Sequence, residues 1–213
     1  MTRPDGRLER GNRTRRLVLR RTVDIASVEG LDALSLGRIA TELDLSKSGV
    51  FALFGSKQEL QLATVREAAR IVADQVVRPA AATPPGVGRV WRLCDLWLTY
   101  SQGRVFPGGC FFYEVIAEFD ARSGPVHDAV LTAQRDWMSQ VEGTITGACA
   151  VGELRTGTDV AQLAFELVAL METANVISVL HGDTETAYRR ARTAVAARLR
   201  AVATDPARVP VGN

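Results

Sequence analysis

The chain has 213 residues, 46% hydrophobic and 23% charged, with a net charge of +2; this composition suits one large or two modest globular domains and excludes a fibrous or disordered chain. No uninterrupted apolar run approaches the roughly 20 residues that span a bilayer, and the charged N terminus has no apolar h-region behind it, so neither a membrane partner nor a secretory signal is expected. Three well-separated cysteines (Cys94, Cys110, Cys149) make no disulfide framework and point to a reduced, cytoplasmic setting.

The charge is uneven. Residues 1–21 hold eight arginines (Arg3, Arg7, Arg10, Arg13, Arg15, Arg16, Arg20, Arg21) against Asp5 and Glu9, so the rest of the chain is mildly acidic. A basic block at one end suggests a polyanion partner there; its plainer reading is a solvated arm. Helical periodicity then dominates and no alternating strand pattern occurs. Leu19, Val23 and Ala26 share a face of a helix over 12–29, stopped by Gly30. Ser35 caps a short helix with Leu36, Ile39, Ala40 and Leu43, and Ser46 caps another with Val50, Phe51 and Phe54, ended by Gly55. Ser56 and Glu59 read as a capping box opening a helix over 57–78 that stops before Pro79. The Pro- and Gly-rich stretch 78–88 is the expected boundary between two domains. Beyond it Val87, Val90, Trp91, Cys94, Trp97 and Leu98 form a broad helical stripe, and a helix over 110–120 follows the break at 104–109. Pro125 starts a further helix. The segment 159–180 is apolar on nearly every side, so it needs cover on nearly every side, from the core or from a second subunit. A helix capped by Thr184 runs to about 203, and residues 206–213 are expected to fray. The expectation is an all-α protein of about nine helices: a basic N-terminal domain over 1–60 continuing into the helix 57–78, a second domain over 79–205, and the tail.

Two short helices joined by "LDLS" (43–46) suit a helix-turn-helix, whose second helix presents its N-terminal residues to the major groove. Here these are Ser46, Lys47, Ser48 and Gly49. Short residues permit close approach, serine hydroxyls can donate to phosphates or bases, and Lys47 can reach a phosphate or a guanine edge. Lys57 would clamp a phosphate at the start of the next helix, with Ser35 and Arg38 on the flanking backbone. Val50, Phe51, Leu53 and Phe54 are expected to anchor the reading helix, and Phe51 is also a candidate for contact with DNA. The plainer alternative is a helical hairpin with no DNA role.

Residues 25–60, "IASVEGLDALSLGRIATELDLSKSGVFALFGSKQEL", resemble the N-terminal DNA-binding domain of the TetR family of bacterial transcriptional regulators through Gly30, Ser35-Leu36, Ile39-Ala40, Leu45-Ser46, Phe51, Phe54 and Ser56-Lys57-x-Glu59-Leu60. The resemblance implies a ligand-responsive repressor that binds a near-palindromic double-stranded operator as a homodimer, with the helix 57–78 relaying movement. The sequence departs from the family pattern at Phe51, where tyrosine is usual and contacts phosphate, and at Leu53, often histidine. Residues 159–203 would supply a dimer interface through Leu163, Leu167, Leu170, Ala174, Ile177, Ala194 and Arg198.

The resemblance also implies a pocket in residues 85–180 for a largely apolar small-molecule effector. Candidate lining residues are Trp91, Trp97, Tyr100, Cys110, Phe111, Phe112, Tyr113, Glu114, Glu118, Gln134, Trp137, Met171 and Asn175: aromatics that could line a cavity and polar groups in apolar helices that need partners. Most aromatics at such spacing are core. Cys110, behind two glycines and opening a helix, suggests an alternative, a thiol sensor of oxidants or electrophiles. His127 and His181 are far apart and no metal-ligand spacing, phosphate-binding loop or G-x-S-x-G elbow is present. No cofactor or metal is therefore expected, and an α-helical enzyme is the remote alternative.

Overall fold

The computed structural model describes residues 6–210, with side chains from residue 9; Arg3, Asp5, the Arg7 side chain and residues 211–213 lie outside the described part. Its first helix, α1, spans Gly6–Glu29. It ends where Gly30 adopts φ 79°, a left-handed conformation natural to glycine, with its amide donating to Ala26 O at 3.1 Å. Helix α2 covers Leu36–Glu42 behind Ser35, whose Oγ accepts from Arg38 N at 3.1 Å. Helix α3 covers Lys47–Phe54 behind Ser46, whose Oγ accepts from Gly49 N at 3.0 Å. Helix α4 covers Lys57–Val72. At its start Ser56 Oγ accepts from Glu59 N, but the reciprocal half of the expected capping box is absent: the Ser56 amide donates to Phe54 O.

The helix does not stop before Pro79. It passes through one π turn, Ala73–Val77, into α5, Arg78–Ala81. There Arg78 N donates to Ala73 O, five residues back, and this wider turn accommodates the proline ring and its missing N–H. Helices α6 (Val87–Gln102), α7 (Phe111–Phe119), α8 (Pro125–Ala150), α9 (Val160–His181) and α10 (Thr186–Val202) follow, then a 3-10 turn at Pro206–Arg208. Asp183, not Thr184, caps α10: its Oδ1 accepts from Thr186 N at 2.9 Å. The tail is not frayed as far as residue 210. Val209 is buried, Arg208 pairs with Glu153, and Arg200 Nη2 donates to Pro210 O at 2.7 Å. Among the described residues there is no strand, only isolated bridges at Phe106–Gly109 and Leu154–Ala203.

The chain divides into two compact units: residues up to Arg70 with Phe106–Thr132, and Ile71–Val105 with the residues from Ala133 onward. The stretch 78–88 therefore lies inside the second unit. It is tied there by Arg89 Nε donating to Thr83 O and by Val87 N donating to the Glu153 carboxylate at 2.9 Å.

The first unit closes over Val18, Val23, Ala26, Leu31, Leu34, Ile39, Val50, Leu60 and Phe111, with Thr64 Oγ1 donating to Thr22 Oγ1 at 2.8 Å inside it. Helix α7 packs against α1. The second unit closes over α6, α9 and α10. Around its buried Tyr188, Ser101 Oγ lies 2.6 Å from the phenol oxygen and donates to Asn175 Oδ1 at 2.9 Å. Arg192 spans from α10 to α6, donating to Asp95, Thr99 and Gln102. By length and composition α9 could cross a bilayer, contrary to the reading of its sequence. Its Leu163, Ala164, Leu167, Met171, Asn175 and Ser178 are instead buried by the chain itself.

Candidate nucleic-acid interface

The turn between α2 and α3 is fixed by the backbone. Asp44 adopts φ 51°, Leu45 N donates to Ala40 O at 2.8 Å and Asp44 N to Thr41 O, the paired bonds that close a helix C terminus of Schellman type. The chain then re-enters a helix at once. Val50 and Phe54, four residues apart, face inward and are buried, so the opposite face of α3 is presented to solvent.

At the N-terminal end of α3, Ser46, Lys47, Ser48 and Gly49 are all exposed. Ser48 Oγ donates to Ser46 Oγ at 3.4 Å, so the two hydroxyls and the first free amides of α3 form one polar cluster at the positive end of the helix dipole. Gly49 leaves room beside the cap: a Cβ there would stand 2.9 Å from Ser46 Oγ. The Lys47 stem passes Gly37 of α2, its Cε 3.7 Å from where a Cβ would sit. Lys47 makes no ion pair among the described residues.

Arg38 and Lys57, expected at phosphates, also make ion pairs within the protein, and Phe51 is exposed. Arg38 is committed within the protein. It holds both oxygens of Glu29 at 2.7 Å and Glu42 at 2.7 Å, while Arg21 takes the other Glu42 oxygen at 2.6 Å. Hydrogen bonds from Arg38 hold the carboxyls of Glu29 and Glu42 below the usual range. This chain of charges straps α2 to α1. Lys57 Nζ donates to Asp32 O at 2.6 Å and lies 3.6 Å from its carboxylate, so it braces the turn between α1 and α2. Phe51 is not an anchor but is 59% exposed, because it stands about 100° around the helix from Val50; Leu53 is half-buried.

Two features escaped the sequence reading. Arg15 donates to Leu53 O at 2.8 Å and stacks on Phe54, 4.6 Å from the ring centre, which seats α1 against the C-terminal end of α3. Glu118, considered only as a pocket residue, accepts from Leu31 N at 2.6 Å and Asp32 N at 2.8 Å. A contact spanning about 87 residues leaves no local pattern to read.

In the second unit a groove of about 650 Å³ runs along α9 and α10. It is lined by Leu170, Ala174, Ile177, Ala194 and Arg198 of the expected interface, together with Phe165, Ala169 and Thr173. Leu163 and Leu167 are not available to a partner: both are fully buried within the chain, since the inward face of α9 carries them. The outward row is Phe165, Ala169, Thr173, Ile177 and Leu180, with Phe165 64% and Leu180 75% exposed. Arg198 is paired with Glu166.

The residues proposed to line an effector pocket are divided. Trp91, Trp97, Tyr100, Met171 and Asn175 are buried in the second unit, where Trp137 and Gln134 are half-buried; Cys110, Phe111, Phe112, Tyr113, Glu114 and Glu118 belong to the first. Asn175 already accepts from Ser101. Cys110 is buried, and burial pushes the Cys94 thiol up to about 12. No group of three His, Cys, Asp or Glu side chains suited to a metal occurs among the described residues.

A helix-turn-helix with an exposed cationic N terminus, in a chain whose second unit carries an apolar outer face, defines a DNA-binding regulator. Residues 18–64 match the bacterial regulatory proteins of the tetR family, and residues 86–195 match the tetracyclin repressor-like C-terminal domain. The chain belongs to the TetR family of transcriptional regulators. Among solved structures it is similar to a TetR regulator from Chloroflexus aurantiacus (23% identity, 92% of this chain and 98% of that one, TM-score 0.83). It is also similar to a putative transcriptional regulator from Saccharomonospora viridis in complex with choline (22%, 86% and 94%, 0.71) and to AibR in complex with isovaleryl coenzyme A and operator DNA (14%, 84% and 93%, 0.65). Among curated proteins none matches the sequence.

Proposed function

We propose that the protein is a cytoplasmic, ligand-responsive repressor that binds a near-palindromic operator as a homodimer, reading base edges and phosphates with Ser46, Lys47, Ser48 and Gly49. The observation that carries this reading is the Lys47 ammonium, which makes no ion pair among the described residues, beside two serine hydroxyls and free helix amides at an exposed helix N terminus. Ser35 lies at the flank and Phe51 offers an exposed ring to the same surface. Arg38 and Lys57 serve as struts that hold this head in shape.

The test is selection of duplexes from a random pool by the purified protein, followed by titration of the selected duplex. Lys47→Ala should weaken binding about tenfold or more, roughly 1.4 kcal/mol, and flatten the salt dependence by about one unit per protomer. Its thermal midpoint should not move, because Lys47 supports no core contact. Equal affinity of variant and wild type would sink the assignment.

Support for the dimer comes from the outward row of α9 and the groove beside it, an apolar surface that water leaves poorly covered. Ile177→Lys should convert the protein to a monomer in sedimentation, with loss of tight binding to the full operator. A variant that stays dimeric would place the interface elsewhere. For the effector, a largely apolar small molecule is in keeping with the aromatic residues Trp91, Trp97 and Tyr100 that α6 buries in the second unit. The choline and isovaleryl coenzyme A bound by the two solved proteins above differ in chemistry from each other and single out no ligand.

A further inference from the structure

We propose that the first three turns of α1 form a second grip on DNA, with Arg10, Arg13 and Arg16 set against phosphates flanking the groove entered by α3. The proposal rests on the reading of Ser46–Gly49 as the groove-facing set and extends it to a different element.

Three observations lead to it. The first is charge. In the same unit most arginines of the folded body are engaged: Arg15 with Leu53 O, Arg20 with Asp24, Arg21 with Glu42, Arg38 with Glu29 and Glu42, Arg122 with Asp32; Arg66 of α4 is exposed and makes no ion pair among the described residues. Arg10, Arg13 and Arg16 are exposed and make no ion pair among the described residues. Glu9 is the acidic residue in the first turn and is likewise exposed. The second is register. At about 100° per residue, positions 10, 13 and 16 fall within an arc of about 120°, so three cations share one side of the helix. The third is position. Arg15, on the other side of α1, is bound to the last carbonyls of α3, so the helix emerges beside the C-terminal end of the reading helix. Residues 6–14 continue past that point, Arg10 about 7–8 Å further along the axis at 1.5 Å per residue.

A groove about 12 Å wide has phosphate walls close to both ends of a helix lying in it, within reach of arginine side chains from such an arm. Glu9 is the one carboxylate among residues 6–16 and lies on the same arc, so the row keeps a net positive charge whose repulsion an external polyanion relieves; phosphates held in a fixed row by the docked head are the nearest such array.

The experiment uses full-length protein, the selected duplex with long flanks and the same duplex trimmed to the half-sites. Arg10→Gln, Arg13→Gln and Arg16→Gln combined should weaken binding to the long duplex at least about tenfold at moderate salt. The slope of log K against log salt should fall by up to about 0.9 per lost contact. On the trimmed duplex the loss should largely disappear, while the triple lysine variant should bind the long duplex nearly as well as wild type. A wild type that binds, with a glutamine variant of unchanged slope or with equal losses on both duplexes, overturns the arm alone. A wild type that holds no duplex overturns the groove reading and the arm with it. Unchanged DNA binding with loss of binding to phosphatidylserine vesicles would assign the arm to a lipid surface and likewise overturn the proposal.

Discussion

Gly108→Ala is expected to cost about 3 kcal/mol or more of stability, at the upper end of what overpacking does. A Cβ at position 108 would stand 1.7 Å from Ser27 O, 2.5 Å from Ser27 C and 3.2 Å from Val28 N. The obstacle is helical backbone, which cannot turn aside as a flexible side chain can. Gly108 N donates to Ser27 Oγ at 3.2 Å, so the loop and the helix are in contact as well as close. The last turn of α1 cannot retreat without moving Ala26, which is fully buried. The loop cannot rise without lifting Phe106 and Phe111, both fully buried with ring centres 5.8 Å apart. Denaturant unfolding measures the cost. Gly143→Ala in α8 is the control: nothing lies within 4 Å of its added Cβ, and alanine should gain up to about 1 kcal/mol there from helix propensity. If Gly108→Ala unfolds at the wild-type midpoint, the close packing of this loop on α1 is wrong.

That contact also marks where sequence reading stops. The punctuation was legible because it is local: Gly30, Ser35, Ser46, Gly55, Pro125 and Gly182 act on neighbours within about four positions, through dihedral angles and single cap bonds. The reading face of α3 followed from the same short-range logic, since Val50 and Phe54 define the inward side. What charged groups do was not legible. Arg38 and Lys57 are the right residue types for phosphate, but their charge is taken up by Glu29, Glu42 and Asp32, which approach only in the fold. Phe51 shows the same limit for an aromatic, because hydrophobicity alone overrode a register that puts it about 100° off the core side. For α9, Leu163 and Phe165 are equally apolar in the sequence; only the packing of α6 and α10 decides that one is buried and the other faces out. Residues 106–132 group with the DNA-binding helices, an association carried by Gly108, Glu118 and Arg122 and by no composition shift.

Glu118→Ala should both destabilise the first unit, by about 2–4 kcal/mol, and lower operator affinity beyond what that loss explains. The turn leaving α1 is held from several directions. Glu118 accepts from the amides of Leu31 and Asp32, Gln61 Nε2 donates to Leu31 O at 3.0 Å, Lys57 Nζ donates to Asp32 O, and Arg122 Nη1 reaches the Asp32 carboxylate at 2.5 Å. The Arg122 hydrogen bond holds the Asp32 carboxyl below its usual range. That bridge therefore contributes above the ordinary aspartate value, about 3.9, and is lost as pH falls through the lower folded value. Gly30 completes the seat: a Cβ there would meet the Glu118 carboxylate at 2.5 Å. Loss of the carboxylate orphans the amide of the buried Leu31 and frees the turn that sets the entry of α2, and through α2 the attitude of α3. Glu118→Gln separates the two effects. It keeps the side chain's shape but leaves one acceptor for two amides and turns an NH2 toward an N–H, so an intermediate loss is expected. Operator titration at a temperature where circular dichroism finds every variant fully folded isolates the positioning effect. There affinity should fall from wild type through Glu118→Gln to Glu118→Ala. Equal affinities under those conditions would reduce Glu118 to a stabiliser of the turn, with no part in aiming the reading helix.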